Sequence, residues 1–141
     1  MNDLAPGALA KEVTGTLHLL EGRLEAALEP LGLSLAKFGL LSTLVASKEP
    51  LPLRLLAEQC ACVRSNITQL VDRLEADKLV RRADDPKDRR SILAELTSEG
   101  RSRHASGLRA LEAAETELFA PLPERQRKNL VELLRSLRDC G

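Results

Sequence analysis

Apolar residues fall at helical spacing over most of the chain. Leu9, Val13, Leu17, Leu20, Leu24 and Leu28 recur at steps of four, four, three, four and four, which predicts one long amphipathic helix over the first thirty residues. Pro30 and Gly32 end it. Ser34 follows as a candidate N-cap, because its hydroxyl can accept from an orphan N–H of a first helical turn. Phe38, Leu41, Leu44 and Val45 supply the buried face of a second helix, to about Ser47. Glu49-Pro50-Leu51-Pro52 reads as a break. A short third helix is predicted from about Leu53 to Gln59, with Leu55, Leu56 and Ala57 inward. A fourth runs from about Arg64 to Asp77, with Ile67, Leu70, Val71 and Leu74 on one face.

The period then changes. Leu79-Val80-Arg81-Arg82 and Ser91-Ile92-Leu93-Ala94-Glu95-Leu96 read as two short strands. Asp84 to Arg89 is the polar turn between them, with Pro86 at the tip because proline cannot donate within a ladder. Thr97 or Ser98 caps a fifth helix that runs to about Leu118, with Leu108, Leu111, Ala114 and Leu118 along one side. Pro121-Leu122-Pro123 punctuates, and a last helix carries Leu130, Val131, Leu133, Leu134 and Leu137. The expected fold is mostly α with a small antiparallel β-hairpin. Helix–turn–helix followed at once by a two-stranded ribbon is a winged helix-turn-helix arrangement. The chain reads as a single domain over 1–141, with a winged core at 33–101 and dimerisation helices at 8–29 and 102–139.

Composition narrows the function. The 141 residues suit one domain, and 43% are apolar, enough for a core. Lysine plus arginine and aspartate plus glutamate both number 21, which excludes a histone-like basic binder and an acidic tail. No apolar run reaches the roughly 18 residues of a membrane span, so no membrane partner is expected. The start, Met1-Asn2-Asp3-Leu4, lacks the basic and apolar regions of a signal peptide, and the expected compartment is the cytoplasm. Aromatic residues are limited to Phe38 and Phe119, which disfavours single-strand binding by base stacking. There is no GxGxxG, P-loop, GxSxG or HExxH sequence, so neither an enzyme nor a cofactor is expected. His18 and His104 with three cysteines do not have the spacing of a familiar zinc cluster, and no metal site is expected.

The chemistry concentrates in two adjacent stretches. Leu56 to Thr68 is a helix–turn–helix candidate, and a recognition helix at about 64–77 would read base edges from its first half. That half offers Arg64, Ser65, Asn66, Thr68 and Gln69, with Arg73 one turn on. Arginine pairs bidentately with guanine, and asparagine or glutamine with adenine. Hydroxyls at a helix start suit phosphates. An ordinary amphipathic helix with a solvated polar face would look similar. The second stretch tips the balance: between Lys78 and Arg90, Lys78, Arg81, Arg82, Lys87, Arg89 and Arg90 face only Asp84, Asp85 and Asp88. On a wing at about 83–91, Arg89 and Arg90 could enter a minor groove, where a narrow A·T-rich width concentrates negative potential. Asp88 would hold one of them extended through a charge-assisted hydrogen bond.

Asp88-Arg89-Arg90-Ser91-Ile92-Leu93-Ala94-Glu95-Leu96-Thr97, with Gly100 beyond, resembles the wing signature of MarR-type (multiple antibiotic resistance) regulators. Leu70-Val71-Asp72-Arg73-Leu74-Glu75 and Leu79-Val80-Arg81-Arg82 are similar to that family's recognition-helix end and first wing strand. Ser34-Leu35-Ala36-Lys37-Phe38 resembles its second-helix start, so the likeness covers about Leu33 to Arg101. Three positions depart from it: Ala61 where the family often has Gly or Asn, Val63 where it often has Ser, and Lys78 where it commonly has Gly. The resemblance implies a homodimer on a pseudo-palindromic operator, usually a repressor released by a small ligand or by oxidation. The alternative is a winged-helix dimer that serves as a protein-interaction module without operator binding.

The apolar stripes of the first and last helices fit the dimer, since a winged core of about 70 residues has little spare surface to bury both. Cys60 and Cys62 stand where the family usually has Leu and Val, and the plain reading is two small buried hydrophobes. The sharper reading is oxidation within the helix–turn–helix turn, with Cys140 able to pair with its dimer mate. For a small-molecule effector, Leu17, Leu20, Phe38 and Leu41 are the candidate lining.

Overall fold

The structure is a computed structural model that describes residues 5–60 and 64–140, with the side chains of residues 64 and 65 outside that description. Its elements run α1 (Ala8–Leu28), a 3-10 turn (Glu29–Leu31), α2 (Leu35–Ser47), β1 (Leu51–Pro52) and α3 (Leu53–Gln59). There follow α4 (Arg64–Ala76), β2 (Val80–Asp85), β3 (Asp88–Leu96), α5 (Ser98–Leu118) and α6 (Glu124–Asp139). Among the described residues no single helix is long and apolar enough to cross a membrane.

Two helices end in the same hydrogen-bonded turn, made by different residues. After α1, Gly32 takes a left-handed conformation (φ 68°) and its N–H reaches the Glu29 carbonyl at 2.9 Å, while the Leu33 N–H reaches the Leu28 carbonyl at 3.2 Å. After α4, Lys78 does the same (φ 64°): its N–H bonds the Glu75 carbonyl and the Leu79 N–H bonds the Leu74 carbonyl, both at 2.9 Å. In each case the next residue, Leu33 or Leu79, is buried and seals the turn. Glycine adopts that backbone at no steric cost, whereas a Cβ at Lys78 carries one. Ser34 caps α2 as expected, its hydroxyl accepting from the Lys37 N–H at 3.1 Å. The Glu25 carboxylate on α1 accepts from the Leu35 N–H at 3.0 Å, so two of the orphan donors are met.

The core lies where α2, α3 and α4 meet the sheet. Leu40, Leu41 and Leu44 come from α2, Leu56 and Ala57 from α3, and Ile67, Val71 and Leu74 from α4. Leu79, Val80 and Ala94 close it from the sheet side. The α4 residues stand at i, i+4 and i+7, one face of a helix. The long α1 stripe behaves differently along its length: Leu28 is fully buried, Leu24 and Leu20 are half-buried, and Leu17, Val13 and Leu9 are exposed.

The sheet has three strands in the order β1-β3-β2, all antiparallel. The expected ribbon is present as β2 and β3, and a third strand joins it, because Leu51 and Pro52 pair with Ala94 and Leu93 instead of forming only a break. Pro52 is tolerated because that strand is an edge. The wing is also longer and tighter than expected. Pairing continues to Asp85 opposite Asp88, leaving Pro86 and Lys87 as the whole turn. Asp85 accepts from the Lys87 N–H at 2.9 Å and Asp88 from the Arg90 N–H at 3.0 Å, and these two side-chain bonds replace the missing ladder partners at the tip.

Helix α5 starts against the end of α4. Thr97, one of the two expected caps, accepts from the Gly100 N–H at 2.9 Å and contacts the Lys78 and Leu79 carbonyls at 2.8 and 2.9 Å. A Cβ on Gly100 would stand 2.0 Å from the Leu79 carbonyl oxygen, so only glycine lets the helix approach. Arg103 then donates to the Leu31 carbonyl at 2.7 Å and ties α5 to the turn after α1.

Candidate nucleic-acid interface

Helix α4 presents three stripes. Ile67, Val71 and Leu74 face the core. Asn66, Gln69 and Arg73, at i, i+3 and i+7, share a second face, and all three side chains are exposed. Thr68, Asp72 and Glu75, at i, i+4 and i+7, share a third, and this one meets the wing. Arg64 and Ser65 begin the helix, but their side chains lie outside the described residues, as does Cys62 altogether.

The contact between helix and wing is made by Arg82 of β2. Its guanidinium donates to the Glu75 carboxylate at 2.8 Å, to the Asp72 carboxylate, and at 3.4 Å to the Thr68 carbonyl. Its main-chain N–H also donates to Glu75, at 3.0 Å. Partial burial alone would lower the Arg82 pKa, but hydrogen bonds and Coulomb attraction from Asp72 and Glu75 outweigh it, and the group is held above its ordinary value. One of the two negative charges that would repel a phosphate is thereby offset. Arg81 pairs across the ribbon with Glu95 at 3.3 Å, its register partner. Both arginines entered the basic excess read from the sequence; both are engaged with carboxylates in the fold. Lys37 of α2 anchors the far end of α4 through Asp77 at 2.9 Å.

What projects from the wing is Lys87, Arg89 and Arg90, all exposed and, among the described residues, in no ion pair. Asp88 does not hold an arginine side chain: the oxygen expected to do so accepts the Arg90 main-chain N–H and shapes the turn instead. Between wing and helices lies a cleft of about 520 Å³, lined by Leu53, Arg54, Ile67, Thr68, Asp88, Arg90, Ser91 and Ile92. Arg54 was not among the expected site residues, since nothing in its own segment marks it; only the fold brings it into the same cleft as Arg90.

The candidate effector residues differ in exposure. Leu41 is fully buried in the core, Leu17 is exposed on α1 and Leu20 is half-buried. Phe38 stacks on His104 with centroids 4.8 Å apart and planes 9° apart. His104 Nε2 and the Ser42 hydroxyl lie 2.9 Å apart, and burial lowers the His104 pKa below its usual 6.5. Cys60 is half-buried at the end of α3, with its sulfur 3.5 Å from the Thr43 hydroxyl, and Cys140 is exposed at the end of α6.

A helix pair whose second member offers a polar outer face, joined through one arginine to a basic ribbon, defines a winged helix-turn-helix protein of the DNA-binding type. The comparisons with known proteins agree. The MarR family model matches residues 31–91. A MarR-family transcriptional regulator from Rhodococcus sp. RHA1 is 30% identical, with a TM-score of 0.77 over 93% of this chain and 90% of its own. Sco3205, a MarR-family transcriptional regulator from Streptomyces coelicolor solved in complex with DNA, is 30% identical, with a TM-score of 0.82 over 93% of this chain and 84% of its own. The PcaV transcriptional regulator from the same organism, solved with its natural ligand, is 26% identical, with a TM-score of 0.73 over 99% and 95%. No curated protein matches the sequence. The chain belongs to the MarR family of transcriptional regulators.

Proposed function

We propose that the protein is a homodimeric, sequence-specific binder of double-stranded DNA that represses transcription in the cytoplasm. The observation that carries this is the division of α4 into stripes. One is buried, one is locked to the wing through Arg82, and one, with Asn66, Gln69 and Arg73, is left outward beside the unpaired basic tip. With α4 in a major groove, Asn66 and Gln69 read base edges, joined by Arg64, Ser65, Thr68 and Arg73 for phosphates and guanine. Lys87, Arg89 and Arg90 then reach the neighbouring minor groove. The exposed leucines of α1 and α6 supply the dimer contact, and a twofold pair of helices calls for a pseudo-palindromic operator. The DNA complex of Sco3205 supports the DNA partner, and the ligand complex of PcaV supports release by a small molecule. Release by oxidation draws on Cys60, Cys62 and the exposed Cys140.

The test is selection of bound duplexes from a random pool, followed by titration of variants. Asn66→Ala and Gln69→Ala are expected to relax preference at single base pairs by about 1–3 kcal/mol. Arg89→Ala is expected to weaken binding and to flatten the salt slope. Recovery of no enriched sequence, with variants indistinguishable from the parent, sinks the proposal.

A further inference from the structure

The cleft between the wing and the helix–turn–helix lies where one strand of a bound duplex would run. This rests on the DNA-binding reading above. When a helix occupies a major groove and a ribbon the adjacent minor groove, a single sugar-phosphate strand separates the two, and it has to pass through the gap between helix and ribbon. In this protein the gap is a cleft of about 520 Å³. Arg54 of α3 and Arg90 of β3 both line it. Neither guanidinium makes an ion pair among the described residues. The one carboxylate in the lining, Asp88, already accepts the Arg90 main-chain N–H. Two exposed cations facing one gap repel each other unless an anion sits between them. The hydroxyl of Ser91 adds a neutral donor to the same lining.

We infer that Arg54 is a DNA-binding residue that holds a backbone phosphate of the strand lying between the recognition helix and the wing. Its contact carries no base information, because the ligand is the phosphodiester. It fixes how deeply helix and wing seat together, with Arg90 meeting the same strand from the wing side.

The experiment uses the full-length protein and a duplex chosen by selection. Arg54→Ala is expected to bind about 10-fold more weakly on every sequence, with the salt slope flattened by roughly one. Arg54→Lys should keep the slope. Single methylphosphonate substitutions, which remove the charge of one phosphate at a time, should locate the contact: neutralising the phosphate between the two grooves weakens the parent protein but not Arg54→Ala. Arg54 is exposed, so an unchanged melting curve is expected to show that the variant folds. Equal affinity and slope for Arg54→Ala and the parent, while Arg89→Ala binds more weakly, overturns the Arg54 assignment and leaves the DNA reading standing. A contact that maps outside the stretch between helix and wing also overturns it. A parent protein that binds no selected duplex removes both.

Discussion

The winged centre and the helical ends of this chain are made of similar leucines put to opposite uses. Every buried apolar residue described lies between Leu28 and Ala94. Helix α6 buries none, and Leu133 and Leu137 stand 57% and 66% exposed. Helix α1 passes from one regime to the other within a single stripe, from buried Leu28 to Leu9 at 63% exposure. Apolar side chains left exposed along two helices are costly in water. The centre is closed by its own residues, whereas the ends leave their leucines exposed in the single chain. Heptad-like spacing therefore tells where an apolar face is, not which molecule covers it.

That contrast can be broken at either side. The largest effect is expected from Gly100→Ala in the centre, where a methyl would meet the Leu79 carbonyl at 2.0 Å. A loss of about 3 kcal/mol in denaturant unfolding is the expected cost, since α5 has to move off Leu79 to relieve it. A loss below about 1 kcal/mol would mean the approach is looser than described. At the ends, Leu134→Asp with Leu137→Asp should leave the unfolding of the centre nearly unchanged. The same pair should weaken self-association by at least about 100-fold, because two apolar anchors are removed. Light scattering across a concentration series measures this, and an unaltered mass would refute the role given to α6.

The smallest effect belongs to His104, at the seam between the regions. Its pKa is lowered by burial in the fold, so the unfolded chain takes up the proton first. Its contribution to stability is complete above the ordinary value of 6.5 and is lost as pH falls from there through the folded pKa. His104→Gln should flatten the melting temperature between pH 7.5 and pH 5 relative to the parent. Identical profiles would show that the Phe38 stack tolerates the charged ring.

Most of the helices were legible in the sequence, because each has an apolar period and two of them, α2 and α5, a recognisable cap. Ser34, Thr97, Pro30 and Gly32 all act where their chemistry places them. The two-residue strand at Leu51 was not, since pairing over so short a length is decided by β3 and leaves no local pattern. The resemblance marked Lys78 as standing where glycine is common, and the fold supplies the reason: that position is left-handed. In the candidate interface, the outward stripe of α4 and the wing tip were readable from charge and spacing. The roles of Arg54 and Arg82 were not, because a basic residue looks the same in sequence whether it faces a carboxylate or an open cleft. The acids at Asp72 and Glu75 held the available signal: negative groups on a helix meant for DNA need a resident cation.

The bridge from Arg82 to those acids also alters how ionic strength acts on the molecule. Electrolyte weakens a partly exposed guanidinium–carboxylate contact and a guanidinium–phosphate contact by the same screening. On DNA, concentrated salt would strip phosphates and loosen the ribbon together, so the slope of affinity against salt exceeds what the phosphate contacts alone would give. Asp72 and Glu75 thus serve as tethered counter-ions that dilute buffer leaves in place.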